Sequence, residues 1–471
     1  MIETENSIEK VGPDGSRFAS AILFTLCFIV IFSTLAFGAV DPATFSVLAV
    51  ITALVIVFWA IDSSRQRGLR FSGSRLQLPV LGLIVLGLIQ LLPLRGSDIP
   101  SGLLSIPAAA TLSLDPYSTR LFLIRLIICF VFFAAALTFI DSRKRLQKVV
   151  LTIIIFGAAL AFFGILQRLA DPDSIYGIRN SPQSLTFGPF GNQHHFAALM
   201  EMTGGLTLGL LFGRDTSREH KFLLMIAALL MGIALALTSS RGGMISFAGV
   251  IMFLAAANFL PERRGRRRDG SEKRTDFKRL LVLSAASVGL VLLIFGGVLF
   301  LGSDQSLLRG IGLTGQADVT SGRSHFWAVA LQIFLAHPII GAGLEAFGAA
   351  YTQFDSQSGL FRVEQAHNDY LQTLADAGIL GFICVASFVY LLFKESLERI
   401  GNAKDGFSKN AALGALAGCF GILIHSFFDF PLRTPSNAFV FLMLVAIATV
   451  SIHRDHKSSE LVREQRDRLA A

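Results

Sequence analysis

The chain has 471 residues, of which 53% are apolar and only 16% charged. Soluble domains carry about 25% charged residues, so these figures exclude a water-soluble globule, a disordered chain and a disulfide scaffold. A net charge of +8 fits basic loops on the cytoplasmic side of a membrane better than nucleic acid, for which no motif is present.

The N-terminal stretch is polar and mixed in charge, without a small-residue cleavage site, so 1–18 reads as a cytoplasmic segment and not as a cleaved signal. Twelve apolar runs follow, near 19–39, 44–62, 77–94, 119–140, 146–169, 192–213, 220–238, 240–260, 279–302, 376–394, 408–428 and 434–454. Each is about long enough to cross a bilayer as a helix. The expected class is an all-α polytopic membrane protein with about twelve transmembrane helices. Nine spans occupy 19–302, a long loop 303–375, and three more spans 376–454, before a cytoplasmic tail at 455–471. Cys27, Cys129, Cys384 and Cys419 each sit singly in an apolar run, as buried packing residues do.

Loop charge sets the orientation. One set of loops holds Arg65, Arg67, Arg70 and Arg75, then Arg143, Lys144, Arg145 and Lys148, and later Lys394, Arg399, Lys404 and Lys409. Its densest member, 262–279, has nine Lys/Arg. The opposite loops are poor in Lys/Arg, and the long 303–375 loop has three arginines against six acids. The positive-inside rule then places both termini in the cytoplasm and the long loop outside. Within that loop Phe326, Val329, Ala330 and Ile333 share one face of a helical pattern over Arg323–Ala336, stopped by His337-Pro338. A second pattern starts near Val363 and runs into the tenth span.

Polar groups are costly in a bilayer, so their placement is informative. Arg120, Arg125, Arg168, Asn192, His194, His195, Arg241, His425, Asp429 and Arg433 all fall at the external ends of spans. The long loop adds Arg323, His325 and His367, and only Glu201 lies well inside a span. A terminal arginine can simply snorkel to the headgroups. Arg241 differs: it separates two spans with almost no connecting loop, beside Gly242 and Gly243, whose small size permits close backbone approach. An external pocket with several cations that opens to lipid suits a lipid-linked phosphate or pyrophosphate, because guanidinium forks match phosphate oxygens. No Walker loop, no HExxH and no carboxylate cluster suited to a divalent metal is apparent, so neither a metal nor a cofactor is expected.

The sharpest string runs from His367-Asn368-Asp369 to Gly378-Ile379-Leu380-Gly381 and reads H-N-x9-G-x-x-G. Drawn as one helix, it puts His367, Leu371, Leu374, Gly378 and Gly381 on a single stripe. An ordinary amphipathic lead-in to a span reads the same way. The string resembles the signature of the bacterial O-antigen ligase family, which includes O-antigen and exopolysaccharide polymerases. Similar to that family in style are Gly188–Ala197, Thr238–Gly242, Ser321–Ser324, His337–Gly343 and His425–Pro431. His194 departs from the family's style, where an Asn is expected before His-Phe-Ala.

The resemblance implies a GT-C-like membrane glycosyltransferase of the bacterial inner membrane. Its donor would be a glycan on undecaprenyl pyrophosphate, and its acceptor lipid A-core or another glycan. Transfer would be inverting and metal-independent at the periplasmic face. The family's essential histidine falls on His367 and its two essential arginines on Arg241 and Arg323. Chemistry agrees: histidine, ordinarily titrating near 6.5, suits a general base for a sugar hydroxyl, and two guanidiniums suit a departing pyrophosphate. His195, Asn192, Arg125, Asn368, Asp429 and Arg433 are expected to bind substrate. Asn368 and Asp369 are expected to orient His367, and Asp429 to orient Arg433 or His425. Ligase and polymerase remain open, with a protein O-oligosaccharyltransferase or a flippase for lipid-linked glycan as further readings.

Overall fold

A computed structural model describes residues 17–94, 111–171, 173–180, 185–213, 216–259, 323–356, 363–403 and 405–451. Its helices are α1 (Arg17–Leu35), α2 (Pro42–Arg65), α3 (Gln77–Gln90), α4 (Pro116–Phe139), α5 (Arg143–Ala170), α6 (Gln193–Leu211), α7 (Arg218–Leu237), α8 (Arg241–Phe259), α9 (Arg323–Ala336), α10 (Phe347–Phe354), α11 (Asp369–Asn402), α12 (Gly406–His425) and α13 (Pro435–Thr449). Eleven of the twelve expected spans fall on these helices, and the protein is an all-α polytopic membrane protein. The basic loop 262–279, the run 279–302, the start of the long loop and the C-terminal tail lie outside the described residues.

Helix starts follow local chemistry. Asp115, Ser142, Asn192, Ser217, Asn368 and Asp405 each accept a backbone N–H from the first turn of the helix they precede. Such caps satisfy donors that a helix cannot satisfy internally. Ser174–Ile175 pairs antiparallel with Arg179–Asn180, which the sequence pattern does not announce.

Two helices lie innermost. α6 is buried almost throughout, and so is α13. Among the described residues, seven helices, α1, α2, α4, α5, α7, α11 and α12, are long and apolar enough to cross a membrane. Outward side chains such as Phe24, Ile56 and Ile155 are more than half exposed, as lipid-facing groups are. α6 meets α12 through two facing pairs four residues apart, Gly205 and Gly209 against Gly414 and Gly418. A Cβ on Gly209 would lie 2.3 Å from the Gly414 Cα. Membrane helices associate through such small-residue contacts, since lipid supplies no hydrophobic drive between them. The close approach also brings the top of α6 beside the end of α12.

The described part of the long loop forms its own small core. Val329, Ala330 and Ile333 of α9 pack with Phe347, Ala350 and Tyr351 of α10 and with Ala366 and Ala375. α9 spans the expected Arg323–Ala336. The second pattern differs. Residues 363–368 are not helical, α11 begins at Asp369, and the helix breaks at Gly378 with φ 61°. The loop 338–343 fills the break. Ala342 and Gly343 donate to the carbonyls of Ala375 and Asp376, and Ile379 and Leu380 donate to those of Pro338 and Ile339. A Cβ on Gly378 would lie 2.4 Å from the Ile339 oxygen, and one on Gly341, itself at φ 77°, 2.3 Å from the Ala377 nitrogen. Only glycine tolerates both the left-handed backbone and the contact. Gln90 of α3 closes the junction, donating to the Ile340 and Asp376 carbonyls and accepting from Leu344.

This overturns the single helical stripe. His367 precedes the helix, and Gly378 marks a break in it instead of lying beneath the histidine on a smooth face.

Candidate active site

Asp429 is the hub. It sits in the turn after α12, only 1% exposed. Its Oδ1 accepts from His367 Nδ1 at 3.1 Å, and its Oδ2 lies 3.6 Å from Arg323 Nη2 and 4.0 Å from His194 Nδ1. Burial alone would raise its pKa. The hydrogen bond from His367 and the charges of His194, His367 and Arg323 outweigh that and hold the carboxyl well below the usual carboxylate range. An ionised Asp429 is acceptor-only, so the His367 bond places the proton on Nδ1 and turns Nε2 outward as the acceptor.

Three contacts fix His367. Its backbone is left-handed at φ 50°, which costs a non-glycine residue roughly 1–2 kcal/mol. The Asp429 bond holds one edge of the ring. Phe326 stacks on its face at 6.0 Å, and Phe430 meets it edge-on at 4.9 Å. Asn368 then starts α11, accepting from the Tyr370 and Leu371 nitrogens and donating to the Phe427 carbonyl at 3.2 Å. The imidazole is 29% exposed and Arg323 23%, so both reach open space from a buried base.

Arg323 opens α9 and donates to the Phe428 carbonyl. Its guanidinium is thereby tied to the same turn that carries Asp429. Arg241 opens α8 at this end as well. Ser240, just before it, accepts from Gly243 N at 3.1 Å and shares a 2.8 Å hydrogen bond with His194 Nδ1. The next residue, Gly242, abuts Phe428 and His425, where a Cβ would lie 3.0 Å from the Phe428 Cβ. Small residues at 242 and 243 thus let the α8 terminus reach the Asp429 turn. The structure brings together His367, Arg323, Asp429, Asn368 and His194, with the Arg241 backbone beside them.

Other expected residues are engaged differently. Arg433 does not pair with Asp429. It meets Glu345 at 2.5 Å, Asp376 at 3.0 Å and Asp369 at 3.6 Å. Burial alone would lower the guanidinium's pKa, but those three carboxylates raise it above its ordinary value. Asp369 bonds Ser426 and Arg433 instead of orienting His367, and Asn368 orients it only by capping the helix that follows. His425 pairs with Glu201, both buried, at 3.2 Å. That pairing supplies the inward partner for the one carboxylate deep in a span. His195 bonds Thr434 Oγ1 at 2.8 Å and meets Phe430 edge-on at 5.1 Å, behind His367. Asn192 caps α6. His325 bonds Asp355 at 2.9 Å. Arg125 is not brought to the cluster: its guanidinium lies 5.6 Å over the Phe45 ring of α2.

Sequence reasoning undervalued four contributors. Phe326 and Phe430 wall the imidazole, the Phe428 carbonyl holds Arg323, and Ser240 holds His194. The hydroxyl was visible, since Ser240 sits in the polar string before Arg241. The aromatic walls carried no signal among 42 phenylalanines.

Residues 226–386 match the family model described as O-Antigen ligase. The chain carries an O-antigen ligase-family domain. The match includes Arg241, Arg323 and His367, while Asp429 and His194 reach the cluster from outside it. No curated protein matches the chain. The family assigns O-antigen ligase- or polymerase-type activity in general, with a lipid-linked glycan and an acceptor as partners, in a multi-pass membrane protein.

Proposed function

We propose that the chain transfers a glycan from undecaprenyl pyrophosphate to a hydroxyl acceptor at the periplasmic face of the inner membrane, with inversion and without a metal. The observation that carries this reading is the His367–Asp429 hydrogen bond at 3.1 Å beside Arg323. Asp429 accepts Nδ1–H, so Nε2 takes the acceptor hydroxyl's proton as its oxygen attacks C1. The C1–O bond to pyrophosphate breaks on the opposite face, and the leaving group departs with the electron pair. Asp429 stabilises the imidazolium that forms. Arg323 and Arg241 meet charge that grows on the pyrophosphate, an interaction stronger in the transition state than in the ground state. Asn368 holds the histidine's backbone. His195, Asn192 and Arg433 act, on this reading, through packing and charge around the cluster, and Arg125 does not take part.

The acceptor divides ligase from polymerase. Purified protein is assayed with undecaprenyl-pyrophosphate glycan in EDTA, with and without lipid A-core, beside His367→Ala. Product on lipid A-core supports a ligase. Lengthened lipid-linked chains without lipid A-core support a polymerase. His367→Ala is expected to abolish transfer while donor binding persists, and normal turnover by that variant would sink the assignment. Because detergent leaves no sealed compartment, turnover there also argues against a flippase.

A further inference from the structure

A second cationic site lies at the opposite end of the bundle from the Asp429 turn. α1 and α5 both begin there, and between them, from Ser20 to Cys27 and from Ser142 to Ile155, lies a crevice of about 550 Å³. It is lined by the exposed Lys144 and Lys148, by the buried Arg145 and by Ser20 of α1. Asp141, the acid bonded to Arg145, offsets at most one of these three charges, and Arg70 shares it. Lys144 and Lys148 are exposed. The floor is apolar. Phe24, Leu151 and Ile155 line it, at 73%, 47% and 66% exposed, and they continue down the outer face of two membrane helices.

We propose that this crevice binds one anionic glycerophospholipid, its phosphate on Lys144 and Lys148 and an acyl chain along Phe24, Leu151 and Ile155. Charge complementarity decides the occupant. Among the described residues Lys144 and Lys148 have no acidic partner, so a zwitterionic lipid, which brings its own ammonium, gains less there than a net anion. The floor decides against a soluble anion, because free phosphate leaves that apolar surface uncovered. Basic pockets between helices on the cytoplasmic side suit anionic headgroups, each cation near the surface contributing about 1 kcal/mol, or about fivefold in affinity.

Native mass spectrometry of the full chain in detergent, titrated with phosphatidylglycerol or phosphatidylcholine, tests the proposal. Wild type is expected to retain one phosphatidylglycerol at least tenfold more tightly than phosphatidylcholine. Lys144→Gln/Lys148→Gln is expected to lose about twenty-five-fold of that affinity. Arg218→Gln/Lys394→Gln, which removes two exposed charges elsewhere, is expected to keep it. Equal loss in both double variants would mean a diffuse surface field and would overturn the site. Glycerol phosphate at millimolar concentration is expected not to displace the lipid. Displacement would mean a soluble anion site and would overturn the lipid assignment. Both variants alter exposed side chains, so a monodisperse elution profile is expected for each, and glycan transfer does not enter the readout.

Discussion

Two charged clusters lie four residues apart in sequence, around Asp429 and around Arg433, and they are built in opposite senses. At Asp429 one carboxylate serves three basic groups, His367, Arg323 and His194, so the surplus is positive or neutral. At Arg433 one guanidinium serves Glu345, Asp369 and Asp376, so the surplus is acidic. The first cluster exposes an imidazole edge and an arginine. The second keeps its arginine at 12% exposure. On the proposed reading, a pyrophosphate is expected to favour the first cluster over the second. Cation count alone does not mark an anion site; the balance of charge around each cation does.

That contrast can be broken from the active side first. Asp429→Asn keeps the shape but offers an amide donor to His367, favouring the wrong tautomer, and is expected to lower kcat about 10²–10⁴-fold. Steady-state transfer measures it. Arg323→Ala is expected next, with a loss of about 10²–10³-fold, on the scale known for a single oxyanion donor. A larger effect on kcat than on donor binding would place its action in the transition state.

Arg433→Met sharpens the other half of the comparison. It leaves three carboxylates without their cation, and removing one partner of a buried ion pair costs about 3–5 kcal/mol. The expected readout is a large drop in Tm with the specific activity of the folded fraction within a few fold of wild type. A kcat loss like that of Arg323→Ala at unchanged Tm would move Arg433 into the chemistry.

Asp429 also sets a pH dependence of stability. Its native pKa is depressed, so its contribution is fully present above the unfolded carboxyl value near 3.9 and is lost as pH falls through the native one. The Tm gap between wild type and Asp429→Asn is therefore expected to be full at pH 7 and to narrow only below about pH 4. The smallest effect is expected for Arg125→Gln, within about twofold in activity, since the guanidinium lies over the Phe45 ring and away from the cluster.

The membrane architecture was legible because apolar runs of span length and polar termini follow from the bilayer alone. Eleven runs became helices for that reason, and α9 follows its apolar face from Arg323 to the proline stop. Arg241 stood out as a cation between two spans with almost no connecting loop, while His367 and Arg323, in the long loop, were marked by the family resemblance. What stayed hidden was pairing. Sequence distance gave Asp429 a choice between Arg433 and His425, both within four residues, yet its partners come from the first turn of α6, the first residue of α9 and the loop just before α11. Glu201 found His425 only because Gly205 and Gly209 draw α6 onto α12. The break at Gly378 was equally hidden, since a helical wheel places that glycine on a smooth face and only the inserted loop demands a left-handed residue.

That break has a mechanical consequence. The 34 residues of α11 have the length of one stiff rod, but the rod is broken at Gly378, and the loop 338–343 is bonded to both pieces, at Ala375 and Asp376 above the break and at Ile379 and Leu380 below it. Membrane helices answer changes in bilayer thickness by tilting. Tilt of the long lower piece is expected to be absorbed at the break and its bracing loop, and not levered along a continuous helix into the imidazole of His367, which lies on the other side of Gly378. Turnover should then vary little between short- and long-chain lipids, whereas Gly378→Ala, by stiffening the joint and displacing the loop, should make it both slower and thickness-dependent.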